Sequence, residues 1–267
     1  MKTGKAENKS LKLLFIGNSF SDDTAEYLPE IALSFGYGDI VIKKLFIGAC
    51  SINMHLDNIY GDKHAYYCST DHGMGWRGVP NVSVGEALRS EEWDVIAFLG
   101  GTGDGSRAVD PESYRRLPEL VNYARSVTGE GVKTVFNMTW VGEPTHKHPH
   151  IVEMDGDVER MYRLIAENME NTVSQMKEID VISPTGTAIQ NARSSSYECK
   201  LTRDGYHLDR AVGRFIAGLT FFGAVTGEDV SKTAWFPNGI GEKAQRISVE
   251  SAVNALKTPF SVTQSKI

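Results

Sequence analysis

Short apolar runs of strand length alternate along this chain with stretches whose apolar residues recur every three or four positions. That alternation restricts the chain to an α/β fold, a parallel sheet covered by helices on both faces. The strand-like runs lie at residues 12–17, 39–48, 94–100, 133–139 and 180–183. Helical spacing is clearest at Val158, Met161, Ile165, Met169, Val173 and Met176, and again at Leu208, Ala211, Phe215, Leu219 and Phe222. A further helix is expected over 111–127. The segment after Asp23 opens with acidic and hydroxyl residues, as helix starts do, and Pro29 must sit in a first turn or kink the helix.

With 267 residues, 41% of them hydrophobic, the chain can bury a substantial core, and neither a disordered chain nor a disulfide-stapled miniprotein fits. No internal repeat or Pro/Gly/Ser linker divides it, so a single domain is expected over 11–267, preceded by a polar leader at 1–10. Two stretches read as long irregular loops, 52–82 and 141–155, and loops of that length commonly shape a site. The first is expected to be an insert capping the site. Lys plus Arg number 28 against 34 Asp plus Glu, a net charge of −6, which argues against nucleic acid or an anionic membrane surface as partner. No apolar run reaches the length of a membrane span. The polar leader has no signal-peptide character and is also the kind of segment that follows a cleavage site, so location stays open, as does the oligomeric state. Cys50, Cys68 and Cys199 are far apart in sequence, and their odd number leaves at least one free thiol.

In an open parallel sheet ligands bind at the carboxyl ends of the strands. The first strand ends there in Gly17-Asn18-Ser19-Phe20-Ser21-Asp22-Asp23. Ser19 stands between a strand end and a helix start, where backbone N–H groups can stabilise a developing oxyanion; Ser19 and Ser21 serve equally well as helix caps. Further on, Thr202-Arg203-Asp204-Gly205-Tyr206-His207-Leu208 leads into an apolar helix. A serine hydroxyl attacks once a base removes its proton, and the base works best when a carboxylate orients it. Ser19, His207 and Asp204 supply one of each, although Asp204 could instead be only a helix cap.

Taken together these segments resemble the SGNH (GDSL-like) hydrolase superfamily. Gly-Asn-Ser-Phe-Ser follows the first strand, Gly48 lies in Ile47-Gly48-Ala49-Cys50-Ser51 after the second, and Asp-Gly-Tyr-His precedes the last long helix. The closer resemblance is to a bacterial branch, which also shares Pro184-Thr185-Gly186-Thr187-Ala188-Ile189-Gln190. The resemblance implies a flavodoxin-like, three-layer α/β/α domain of about five parallel strands and ester hydrolysis through a serine acyl-enzyme without a cofactor or metal. It makes Ser19 the nucleophile, His207 the base and then acid, Asp204 the orienting carboxylate, and the Ser19 and Gly48 N–H groups oxyanion donors. The superfamily's third donor is an Asn in Gly-x-Asn-Asp, but here the segment reads Gly101-Thr102-Gly103-Asp104, with Gly103 at that position. Loss of such a donor costs about 2.7–4 kcal/mol of transition-state stabilisation, unless Asn53 or the Thr102 hydroxyl substitutes.

Asn18, Asn53, Thr102, Trp140 and Tyr206 are the candidate substrate contacts. Aromatic residues in the insert (Tyr60, Tyr66, Tyr67, Trp76), with Trp140, suit stacking on a sugar face and so favour a carbohydrate ester. His146, His148 and His150 alternate, a spacing that permits a metal site, but a substrate-facing loop accounts for them without one. The sequence thus favours an esterase releasing a small, acetyl-like group. Its rivals are a non-catalytic carbohydrate-binding relative and a lipase or thioesterase for longer chains.

Overall fold

The computed structural model describes residues 9–100, 108–198 and 200–267, and of His150 only the backbone. Its strands are β1 (Lys9–Gly17), β2 (Tyr37–Phe46), β3 (Tyr66–Asp71), β4 (Arg77–Val82), β5 (Val95–Phe98), β6 (Lys133–Asn137) and β7 (Val181–Ser183). They form one sheet in the order β4-β3-β2-β1-β5-β6-β7. The five strands expected from sequence are β2, β1, β5, β6 and β7, and all of them pair in parallel. β1 is central because Leu13, Leu14, Phe15 and Ile16 are all fully buried, as a strand covered on both faces requires.

Among the described residues the helices are α1 (Ser19–Ala25), α2 (Leu28–Ser34), α3 (Ile52–Tyr60), α4 (Val84–Arg89), α5 (Leu117–Thr128), α6 (Pro149–Glu153), α7 (Val158–Asn171), α8 (Thr185–Arg193), α9 (Val212–Thr226) and α10 (Glu242–Lys257). Two apolar cores lie on opposite faces of the sheet. One packs Phe20, Ile31, Ile189, Phe215 and Ile247 from α1, α2, α8, α9 and α10. The other packs Leu56, Leu88, Leu120 and Ile165 from α3, α4, α5 and α7.

The expected irregular cap at 52–82 is a correction. It folds as α3 followed by the β3–β4 hairpin, which pairs antiparallel with β2 and extends the sheet edge, making the sheet mixed. Its turn is organised by Asp71 Oδ1, which accepts the N–H groups of Gly73, Met74 and Gly75, a local contact that hydrophobic periodicity does not report. The helix expected from Leu208 starts instead at Val212, because the Asp209 carboxylate accepts the N–H groups of Ala211, Val212 and Gly213 and caps it there. The stripe from Val158 leaves the α-helix after Asn171 and ends in a 3-10 turn over Val173–Gln175. Pro29 and Pro118 both stand in first turns, of α2 and α5, where a missing N–H costs nothing.

Candidate active site

β1 delivers Gly17 to the carboxyl edge of the sheet, and α1 begins two residues later. A Cβ on Gly17 would lie 2.0 Å from Ser21 Oγ, so a larger residue at this abrupt strand-to-helix turn would force the Ser21 hydroxyl to move. Asn18 caps α1: its Oδ1 accepts the Phe20 N–H at 3.0 Å, while its Nδ2 donates to the Cys50 carbonyl at 3.1 Å. The cap therefore also ties the turn that carries Gly48 to the start of α1. Ser19 is the first residue of that helix.

The second half of the site is a tight loop between Thr202 and Leu208, which bridge each other antiparallel. Arg203 N–H donates to the His207 carbonyl at 2.9 Å, and Gly205 turns the loop at φ +87°, a region that favours glycine. Asp204 Oδ1 accepts the N–H groups of Tyr206 at 2.9 Å and His207 at 2.7 Å. Its Oδ2 lies 2.7 Å from His207 Nδ1, and His207 Nε2 lies 2.9 Å from Ser19 Oγ. Asp204 thus holds the loop and the imidazole together; the expected helix cap is a correction, since the next helix starts only at Val212, after Asp209. Burial pushes the Asp204 carboxyl up, but the hydrogen bonds from the His207 ring and the two N–H groups outweigh it and hold the group down at about 2. As an ionised acceptor, Asp204 favours a neutral His207 ring with its proton on Nδ1, an arrangement in which Nε2 is an acceptor facing Ser19 Oγ.

The remaining candidates fall in different places. Gly48 is exposed on the turn after β2, beside Ala49 at φ +54°. Thr102 and Gly103 lie outside the described residues. Asn18 is wholly buried with both ends of its amide engaged, so it braces the site instead of meeting substrate. Trp140 is also a correction: it is 2% exposed, stacks on Phe20 at 4.1 Å and donates its Nε1–H to the Tyr206 carbonyl. Asn53 is exposed at the start of α3, where its Oδ1 accepts from Arg116 Nη1 at 3.3 Å. Tyr206 does stand beside His207, and the rings of His146 and His148 stack on it at 5.3 and 4.5 Å. His146 Nδ1 accepts the His148 N–H, and among the described residues no three metal-ligating side chains gather into a metal site.

Of the proposed sugar-stacking aromatics, Tyr66 is buried against His55, Trp76 covers the Lys44 ammonium at 3.8 Å, and Tyr67 lies over Gly78 on the sheet edge. Tyr60 is exposed and bonded to Glu119. Cys50 and Cys68 are buried, and Cys199 lies outside the described residues.

Three features escape the sequence reading. Asp23, on α1, is buried between Arg203 and Arg214. Arg214 does have a sequence signal, a cation set among the apolar residues of the last long helix. Beneath the site, Asn137 donates to Thr24 Oγ1 and accepts from Thr185 Oγ1, which also meets Ser183. Glu143 accepts from Thr202 Oγ1 and donates its N–H to the Gly205 carbonyl, bracing the His207 loop from its other side.

A family model described as "Domain of unknown function (DUF4886)" matches residues 12–255. Among solved structures, the chain is similar to a DUF4886 family protein from Bacteroides uniformis ATCC 8492. The identity is 33% and the TM-score 0.89, covering 96% of this chain and 98% of that one. It is also similar to a mutant of Axe2, an acetyl-xylooligosaccharide esterase from Geobacillus, at 13% identity and a TM-score of 0.51, covering 84% of this chain and 98% of that one. At that identity the likeness is one of fold. No curated protein matches the chain.

Proposed function

The chain belongs to the DUF4886 family, and from the relay at its strand ends we propose that it is a serine esterase of the SGNH type, removing a small, acetyl-like group from a carbohydrate ester. The observation that carries this reading is the unbroken run of hydrogen bonds from Ser19 Oγ through both His207 nitrogens to Asp204. Bracing the loop needs the Asp204 oxygen that accepts the two N–H groups but has no use for an imidazole aimed at a serine.

In the proposed reaction His207 Nε2 takes the Ser19 proton as Oγ attacks the ester carbonyl. The tetrahedral oxyanion faces the backbone N–H groups of Ser19 and Gly48. His207, now cationic and supported by Asp204, returns the proton to the departing alcohol, leaving Ser19 acylated. Water then enters, His207 removes its proton, and collapse of the second intermediate releases the acid and restores Ser19. No step calls for a metal or cofactor. The carbohydrate assignment is supported by Tyr206 and the two histidines stacked on it, which set a half-buried aromatic wall with polar edges beside the base. The named activity of Axe2, with which the chain shares its fold, points the same way.

The test is nitrophenol release from nitrophenyl acetate by the parent, Ser19→Ala and His207→Ala, with fluorophosphonate labelling of Ser19. Turnover and labelling in the parent, with turnover lost in both folded variants, support the reading. A parent that neither turns over nor labels overturns it.

A further inference from the structure

Asp23 lies one turn beyond Ser19 on α1, and its side chain is wholly buried. Its Oδ1 accepts from Arg203 Nη1 at 2.7 Å and from Arg214 Nε at 2.8 Å, and its Oδ2 accepts the Leu208 N–H at 2.9 Å. Arg203 directly precedes Asp204, and Leu208 directly follows His207. A single carboxylate on the nucleophile's own helix therefore grips both ends of the loop that carries the base. Arg203 Nη1 also donates to the Leu208 carbonyl, closing the neck of that loop. Arg214 reaches Glu26 Oε2 at 3.4 Å, so the second cation is balanced as well.

Buried ion pairs add little net stability over apolar packing of the same volume, and their best-attested use is to fix register. The register fixed here joins two residues 188 positions apart in the chain, Ser19 and His207. α1 itself is anchored separately, through Thr24 to Asn137 and through the Asn18 cap. Removing the Asp23 charge should therefore leave the helix in place and free the loop. We infer that Asp23 is a positioning residue that sets the separation of Ser19 and His207 by holding Arg203 and Leu208; this rests on the relay proposed above. Arg203 acts in the same strut from the solvent side, and Arg214 locks the strut to α9.

The test uses Asp23→Asn, which keeps the shape and an acceptor for Leu208 but removes the charge between the two guanidinium groups. Hydrolysis of nitrophenyl acetate is measured per active serine, titrated by the initial burst. A displacement of about 1 Å can cost roughly a hundredfold, so kcat per titrated serine falls by that order while KM changes little. A merely structural role reduces the number of titratable serines and leaves kcat per serine alone; a kcat within about twofold of the parent overturns the inference. Arg203→Met is the second variant, because it leaves Asp23 paired with Arg214 and Leu208 and so orphans no buried charge. It lowers kcat per serine in the same direction but less, and it decides the matter if Asp23→Asn does not fold: an unchanged kcat then overturns the inference.

A measurement independent of turnover separates this inference from the hydrolase reading. The imidazole 15N shifts of His207 are compared with and without Ser19→Ala. In the parent the difference reports the Nε2 contact with Ser19. In the Asp23→Asn background, or in the Arg203→Met background, that difference shrinks if the strut sets the contact and persists if it does not. A parent that hydrolyses nothing, yet loses the difference on removal of the strut, refutes the hydrolase and leaves the strut standing.

Discussion

Asp204→Asn preserves the size of the side chain and leaves one oxygen to accept the Tyr206 and His207 backbone N–H bonds at 2.9 and 2.7 Å. The loop should therefore keep its shape, and the melting temperature should move little. What changes is the group 2.7 Å from His207 Nδ1, where a carboxylate oxygen that accepts the ring N–H becomes an amide that donates. The ring must then present Nδ1 as an acceptor and carry its proton on Nε2, the nitrogen facing Ser19 Oγ. In that tautomer it cannot take the serine proton. Where the carboxylate is deeply buried, such an exchange lowers kcat by about ten-thousandfold. The Asp204 side chain is 47% exposed, so solvent screens part of the support its charge gives the imidazolium, while the tautomer effect is geometric and is not screened. A fall of about a thousandfold to ten-thousandfold follows, about 4.1 to 5.4 kcal/mol at 1.36 kcal/mol per factor of ten. The assay is kcat on nitrophenyl acetate per titrated serine, with circular dichroism to confirm folding. A folded variant that loses less than about tenfold refutes the claim that Asp204 selects the tautomer.

The Asp204 carboxylate should stay charged across the assay range. Asp204 is held at about 2 against 3.8 for the free group; a depressed carboxylate contributes its stabilisation above the unfolded value and loses it only as pH falls toward 2. It therefore stays ionised between about pH 5 and 8, and a carboxyl 13C shift of Asp204 that moves within that window contradicts this. His55 makes a separate prediction about stability: burial lowers it from 6.5 to about 3, so the folded protein keeps it neutral while the unfolded chain protonates below pH 6.5. The stabilisation is complete above 6.5 and is lost as pH falls toward 3, an expected loss of about 2 kcal/mol between pH 7 and 5. Urea unfolding of the parent and His55→Leu across that range checks it; equal pH slopes in the two proteins would count against it. Asn18→Ala removes a cap and the tie to Cys50, and should lower unfolding stability by about 1–2 kcal/mol. It should also reduce kcat, because the Gly48 turn loses its anchor; a urea midpoint and kcat equal to the parent's would refute the bracing role.

The parallel half of the fold was legible because each strand buried on both faces is a continuous apolar run, β1 with Leu13 to Ile16 above all. The β3–β4 hairpin was not, since β4 is an almost wholly exposed edge strand, Arg77-Gly78-Val79-Pro80-Asn81-Val82, with neither alternation nor a run. Ser19, Asp204 and His207 stand out in the sequence because their signals are local, a hydroxyl at a strand end and an acid and an imidazole three residues apart in one loop, while the contact of Ser19 with His207 is visible only in the fold. Trp140 misled for the opposite reason. Its ring lies at the carboxyl end of β6 but points into the core, and which way a loop side chain turns depends on neighbours such as Phe20 that lie far off in sequence. Asp23 is illegible on the same ground, because its partners Arg203 and Arg214 are 180 and 191 residues away.

α1 shows why the unread residues matter as much as the legible ones. At seven residues it is too short to persist on its own, and Ser, Asp and Thr make up most of it. Five of its residues are buried, yet only Phe20 and Ala25 among them are apolar. Hydrophobic burial alone would hold such a helix loosely, free to rotate or slide by part of a turn, because apolar contact is non-directional. Its polar residues remove that freedom. Asn18 fixes where the helix begins, Thr24 fixes its rotation against Asn137, and Asp23 fixes its distance from the His207 loop. Each bond is directional, and those of Thr24 and Asp23 reach β6 and the His207 loop. The orientation of Ser19 Oγ thus follows from directional bonds of buried polar groups, among them the Asp23 ion pairs, which add little net stability over apolar packing of the same volume. Their presence on the one helix that carries a candidate nucleophile is what a requirement for geometry, over and above folding, would leave behind.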